Sequence, residues 1–206
     1  MLLSTAKQAG WSISESNVQV IHSIPIKVKS ELDRSETSIV KEIVFIGPLD
    51  ILHGLNIFCD AIDLVSSDLA INNIKVTFLG SRESVNGVAS DEYIEFRSNN
   101  WKQSNVEWFI KTVEQTENDV ISYFTDTSLG RVAISPALFD GSASVLATLL
   151  DMRVPFIASD NTAIKELISE KDAALVLIPA GSPIELSNRI RSNIGTHGKI
   201  KFYAVI

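Results

Sequence analysis

Ser135-Pro136-Ala137-Leu138-Phe139-Asp140-Gly141-Ser142-Ala143-Ser144-Val145-Leu146-Ala147-Thr148 decides the fold: an apolar run ends, a loop of small residues follows, and a helical pattern begins. At the C-terminal end of a parallel strand, such a loop aims free backbone N–H groups and the positive end of a helix dipole at one spot. A diphosphate suits that spot. The same local pattern also describes an ordinary βα loop with a serine helix cap.

Outward from this stretch, apolar runs of strand length alternate with longer segments of helical period. The expected strands are 18–21, 42–46, 75–79, 93–96, 131–135, 155–158 and 174–178. The expected helices are 55–66, 105–114, 118–125, 144–152, 162–169 and 183–194. That order predicts an α/β protein with a Rossmann-like parallel sheet and helices on both faces, since crossover helices return the chain to the same edge of the sheet. Residues 1–40 read as a leading segment and linker, with a polar stretch at 27–37. Residues 41–195 form the Rossmann-like domain, and 196–206 a C-terminal tail or edge strand.

With 206 residues, 45% apolar and 21% charged, the chain has the size and composition of a folded soluble domain. Its net charge of -7 argues against a general nucleic-acid binder, which would meet phosphates with a basic face. The single cysteine, Cys59, can form no intrachain disulfide and reads as a buried helical thiol. No apolar run reaches the ~20 residues a transmembrane helix needs, and the start lacks the pattern of a signal peptide. A cytoplasmic protein is expected, with peripheral contact at the inner membrane face left open. His22 and His197 have no partner spacing for a metal, and no zinc site is expected.

Several segments together resemble one family. After Asp140 and Gly141 come Val154-Pro155-Phe156-Ile157-Ala158-Ser159, then Asp160-Asn161-Thr162-Ala163-Ile164-Lys165-Glu166-Leu167, then Pro179-Ala180-Gly181-Ser182-Pro183-Ile184-Glu185-Leu186. Upstream stand Ile43-Val44-Phe45-Ile46-Gly47-Pro48-Leu49-Asp50 and His53-Gly54-Leu55. In this order they resemble the carboxyl half of the large retaining glycosyltransferase family that includes sucrose synthase and glycogen synthase. That half carries Gly-Arg-Leu, Lys-Gly, Glu-x7-Glu, Asp-x-Gly-Gly-x-x-Glu-Leu and Pro-x-Gly-Asp-Pro motifs. The resemblance implies one half of a GT-B fold, a nucleotide-diphosphate sugar as donor substrate, metal-independent chemistry without a cofactor, and an amino-terminal acceptor domain as the missing partner.

Carried over residue by residue, the resemblance makes Asp140 the catalytic-site carboxylate. It makes Gly47, His53, Gly54, Gly141, Ser142, Ala143, Ser144, Val145 and Thr148 the donor-binding set. Pro48 and His53 stand where the family places the two cations that neutralise the diphosphate, and Thr148 replaces the second Glu. Hydrogen bonds to charged groups contribute about 1.5–3 kcal/mol each, so these departures imply weaker nucleotide binding. Thr162 and Ala163 replace the paired glycines, and Arg153 another glycine, which affects close backbone approach. Asp140 also reads as a helix-capping aspartate, and His53 as a solvated helix-start histidine.

Arg97, after the expected strand at 93–96, is a candidate for holding the base, with an exposed loop arginine as the other reading. Trp101 and Trp108 offer apolar ring faces to a sugar, although Trp108 and Phe109 fit the buried side of a helix better. Arg131 starts its strand at the edge opposite the site and reads as a surface arginine.

The function expected from the resemblance is donor binding in a glycosyltransferase that transfers a sugar to a glycan, lipid or protein acceptor with retention, the fragment alone being inactive. A degenerate, non-catalytic binding or scaffolding module in a larger protein is the alternative, and Pro48, His53 and Thr148 favour it.

Overall fold

The computed structural model describes residues 40–112, 117–125, 130–139, 143–161, 165 and 168–194. Strands β1 (Glu42–Ile46), β2 (Lys75–Gly80), β5 (Trp108–Thr112), β6 (Arg131–Ser135), β7 (Phe156–Ser159) and β8 (Leu177–Ile178) make one sheet in the order β5-β2-β1-β6-β7-β8. All its pairings are parallel. Short strands β3 (Ser84–Val85) and β4 (Val88–Ala89) form a separate hairpin around Asn86 and Gly87, both at positive φ, as a two-residue Asn-Gly turn requires. The helices are α1 (Leu55–Ile71), α2 (Ser90–Lys102), α3 (Glu117–Thr125), α4 (Ala143–Asp151), α5 (Glu170–Val176) and α6 (Pro183–Ile194). The fold is α/β and Rossmann-like.

Every residue of β1 is buried, because both faces of the sheet are covered. Ile43 and Phe45 point into one apolar cluster with Phe58 of α1, Trp101 of α2 and Leu186 of α6. Val44 and Ile46 point into the other, with Phe124 of α3 and Leu146 and Leu149 of α4. The chain therefore steps outward from β1 to β2 to β5 under α1 and α2. It crosses back beneath α3 and steps from β6 to β7 to β8 on the opposite face. Neighbouring β1 and β6 thus send their helices to opposite faces, which makes their C-terminal ends the switch point at which open α/β sheets hold ligands in a crevice.

Three expected elements change. Residues 93–96 are helical, because Ser90, Ile94, Ser98 and Trp101 are the buried positions of α2 and recur every three or four residues, with Asp91 and Glu92 in the first turn. Residues 105–114 contain β5 instead of a helix. Trp108 and Ile110 lean on the core while Phe109 is half exposed, which is strand alternation. The expected strand at 174–178 divides: α5 continues to Val176, capped at its start by Ser169, which accepts from the Asp172 N–H, and only Leu177 and Ile178 pair. The strand expected at 18–21, the polar link at 27–37, the tail at 196–206 and most of the helix expected at 162–169 lie outside the described residues.

Arg131 is a further correction, since its side chain is only 12% exposed. It pairs across the β1/β6 register with Glu42, Nε to Oε2 at 2.7 Å, lies over the Tyr123 ring at 4.2 Å and donates to the Tyr123 carbonyl. The Glu42 carboxylate also accepts from Thr77 and Tyr123, each at 2.5 Å. A carboxylate buried at this edge needs a cation, and Arg131 is drawn inward to supply it. Cys59 is buried as expected, and burial pushes its thiol pKa up.

Candidate functional site

The crevice at the sheet's C-terminal edge is walled by the loop after β1, 47–54, and the loop after β6. Gly47 at φ 128 and Gly54 at φ 81 give the first loop its shape. At Gly54 the backbone meets the other wall: a Cβ built there would lie 2.1 Å from the Pro136 carbonyl oxygen. The walls are also hydrogen-bonded, the Leu138 N–H donating to the Leu52 carbonyl at 2.9 Å. Leu52, Leu138 and Phe139 remain exposed, leaving the rim apolar.

His53 sits in this crevice on two supports. The Asp50 carboxylate accepts from its backbone N–H at 2.8 Å and contacts Nδ1 through the same oxygen, also at 2.8 Å. The Phe139 ring meets the imidazole edge-on at 5.0 Å between centroids. Asp50 and Phe139 are the site residues that sequence reading missed. Asp50 carried a signal, because an aspartate three residues before an N–H is the spacing of a side-chain-capped turn. Phe139 carried none, since its contact comes from the opposite wall.

Ala143, Ser144 and Val145 form the first turn of α4, half-buried, on the second wall. Thr148, one turn on, is 2% exposed, and its hydroxyl donates to the Ser144 carbonyl at 3.1 Å. The structure does not bring that hydroxyl to the crevice surface. Asp140, Gly141 and Ser142 lie outside the described residues. The two loops lead into α1 and α4, which pack on opposite faces of the sheet.

Arg97 is placed elsewhere. It belongs to α2 in the outer helix layer, where its guanidinium donates to Asp60 at 2.7 Å, Asp63 at 2.5 Å and the Tyr93 hydroxyl at 3.1 Å. Burial works against its charge, but these hydrogen bonds win and hold its pKa above the usual arginine value. The reason for the misplacement is the helix at 93–96, which carries Arg97 down α2 instead of leaving it in a loop at a strand end. Trp101 is fully buried, stacks on Phe78 and donates to Asp63 at 2.6 Å, which removes it as a sugar platform. Trp108 is half-buried on β5 and meets Trp101 edge-on.

Two other cations near the edge are engaged, Arg82 with Asp91 at 3.2 Å and Lys165 with Asp160 at 2.9 Å. Among the described residues, no helix is long and apolar enough to cross a membrane.

The family model described as glycosyl transferases group 1 matches residues 40–195. No curated protein matches. Among solved structures, the C-terminal domain of the glycosyl transferase group 1 family protein LpcC from Francisella tularensis superposes with TM-score 0.57 at 12% identity, covering 84% of this chain and 90% of that one. WaaG, a glycosyltransferase involved in lipopolysaccharide biosynthesis, gives TM-score 0.64 at 13% identity, covering 94% of this chain and 51% of its own. TarM gives TM-score 0.59 at 14% identity over 85% of this chain and 32% of its own. The chain therefore spans nearly all of the isolated LpcC domain, about half of WaaG and a third of TarM. These likenesses establish the fold, a domain of the GT-B type, and the matched family model goes further: the chain belongs to the glycosyl transferases group 1 family.

Proposed function

We propose that this chain is the donor-binding half of a retaining glycosyltransferase. Its partner half would bring a glycan, lipid or protein acceptor to the crevice between β1 and β6. The observation that carries the reading is the backbone approach of the loops after β1 and β6 at Gly54 and Pro136, at the switch point where the chain enters α1 on one face of the sheet and α4 on the other. Backbone amides from Gly141 through Val145 would meet the diphosphate; the Gly47 and Gly54 N–H groups already donate to the Leu79 and Ile51 carbonyls, so these two glycines would contribute close backbone approach instead. His53 would add the side-chain contact and Asp140 a carboxylate beside the transferred sugar. Charge on the leaving diphosphate is then offset by oriented dipoles and His53, without a metal ion. A cytoplasmic setting, with peripheral contact at the inner membrane face, belongs to the same proposal.

Calorimetric titration with UDP, GDP and their sugars tests it: binding with micromolar to millimolar Kd is expected, and absence of heat at millimolar ligand overturns it. Pro48→Arg and His53→Lys restore the two cations and should tighten binding by at least about tenfold, one charged hydrogen bond's contribution.

A second reading, a non-catalytic binding module, is favoured by the burial of Thr148 and by the engagement of His53 with Asp50. It predicts that the full-length protein fails to hydrolyse or transfer from any donor even where the nucleotide binds.

A further inference from the structure

The loop Gly47-Pro48-Leu49-Asp50-Ile51-Leu52-His53-Gly54 contains no lysine or arginine, so its one side chain able to carry positive charge is an imidazole. A carboxylate oxygen only accepts hydrogen bonds, and Asp50 Oδ1 already takes the His53 backbone N–H. The Nδ1 contact at 2.8 Å to that same oxygen is therefore an Nδ1–H donation. With the ring pinned by Asp50 on one side and Phe139 on the other, protonation changes His53 at Nε2 alone. Among the described residues, Asp50 is the charged group in contact with His53. The opposite wall meets it with the uncharged Phe139, α1 follows it with Gly54, and the nearby cations Arg82 and Lys165 are paired with Asp91 and Asp160.

From this geometry we infer that Asp50 is a positioning residue and that His53 is a proton-dependent anion contact, so that a diphosphate bound in the crevice takes up a proton at Nε2. The inference rests on the donor-site reading above. Neutral His53 is the Nδ1–H tautomer and has only a lone pair at Nε2, which repels phosphate oxygens; the imidazolium has an N–H donor there. Because binding carries a proton with it, donor affinity then falls as pH rises, by up to about tenfold per pH unit for a single linked proton.

The test uses the whole chain with UDP and inorganic pyrophosphate, titrated calorimetrically near neutral pH in two buffers of different ionisation enthalpy. Wild type should take up between zero and one proton per ligand bound. His53→Lys should bind at least as tightly with no uptake, and His53→Gln should bind more weakly with no uptake. Ring 15N NMR should find neutral His53 as the Nδ1–H tautomer. In Asp50→Ser, whose hydroxyl still accepts the backbone N–H, the ring should return to the Nε2–H tautomer usual for free imidazole, with weaker binding and unchanged thermal unfolding. Binding by wild type without proton uptake, an Nε2–H tautomer in wild type, or binding by His53→Lys alone overturns this inference and leaves the donor site standing. If neither wild type nor His53→Lys binds, the donor-site reading fails and takes the inference with it.

Discussion

The Pro136 carbonyl oxygen occupies the space a side chain on Gly54 would need: a Cβ at that position would stand 2.1 Å from it. Gly54 also holds φ 81, in the left-handed region where a Cβ costs about 1 kcal/mol or more. Gly87 in the Asn86-Gly87 turn has nearly the same φ, 85, with no atom near the corresponding Cβ. Chemical denaturation of Gly87→Ala should show a loss of about 1 kcal/mol, and Gly54→Ala a loss at least about twice that, with nucleotide binding weakened as the walls part. Equal losses at the two sites would mean that the walls yield freely.

The Glu42–Arg131 pair should govern acid stability. Burial raises the Glu42 pKa, but hydrogen bonds from Thr77, Tyr123 and Arg131 outweigh it, and the carboxyl stays below its ordinary value. A depressed folded pKa contributes stability that is present above the unfolded carboxyl range and is lost as pH falls through the folded value. Glu42→Gln should cost about 3–5 kcal/mol at neutral pH, because it leaves Arg131 buried without its counter-charge, and its acid unfolding limb should be shallower. Urea midpoints from neutral to acid pH compare the two proteins; parallel curves would show that Glu42 is not the linked group.

What the sequence disclosed follows from where each signal resides. Residues 42–46 and 131–135 are short apolar runs in the centre of a doubly covered sheet, and α6 announces itself with Pro183 at its first position and apolar residues at helical spacing. Trp108-Phe109-Ile110 is too short an apolar run for periodicity to separate strand from helix, and pairing with β2 settles it. The Asn86-Gly87 pair is a local hairpin signal that the expected elements do not include. For the candidate site, local spacing suffices to put Gly47, His53 and Gly54 in one loop after β1. The burial of Thr148, the removal of Arg97 to the helix layer and the contact of Phe139 with His53 depend on tertiary packing, which no local pattern encodes.

Arg97 should matter for stability and not for nucleotide. Its side chain is 16% exposed and bridges Asp60 and Asp63, while Asp63 also holds the buried Trp101 indole. Arg97→Ala should lower stability by about 2 kcal/mol, and Asp63→Ala by somewhat more because it also orphans the Trp101 N–H. Thermal melts followed by Trp fluorescence, paired with UDP titration, separate the roles. A loss of UDP affinity in Arg97→Ala without a change in melting temperature would return Arg97 to the binding site.

Arg153 ends α4 in a conformation that glycine would occupy at lower cost. It has φ 56, the Met152, Arg153 and Val154 N–H groups bond back to carbonyls of Thr148, Leu150 and Leu149, and the chain then enters β7. This is the left-handed helix stop at which glycine is favoured because it lacks a Cβ. Replacing Arg153 outright would also remove whatever its side chain contributes, so a single variant confounds two effects. Arg153→Ala and Arg153→Gly both delete the side chain beyond Cβ, and their difference isolates the backbone. The glycine variant should be more stable than the alanine variant by about 1 kcal/mol in equilibrium denaturation. Equal stability would mean that the turn between α4 and β7 relaxes out of the left-handed region in solution, and the helix stop would then have to be assigned to Pro155 instead.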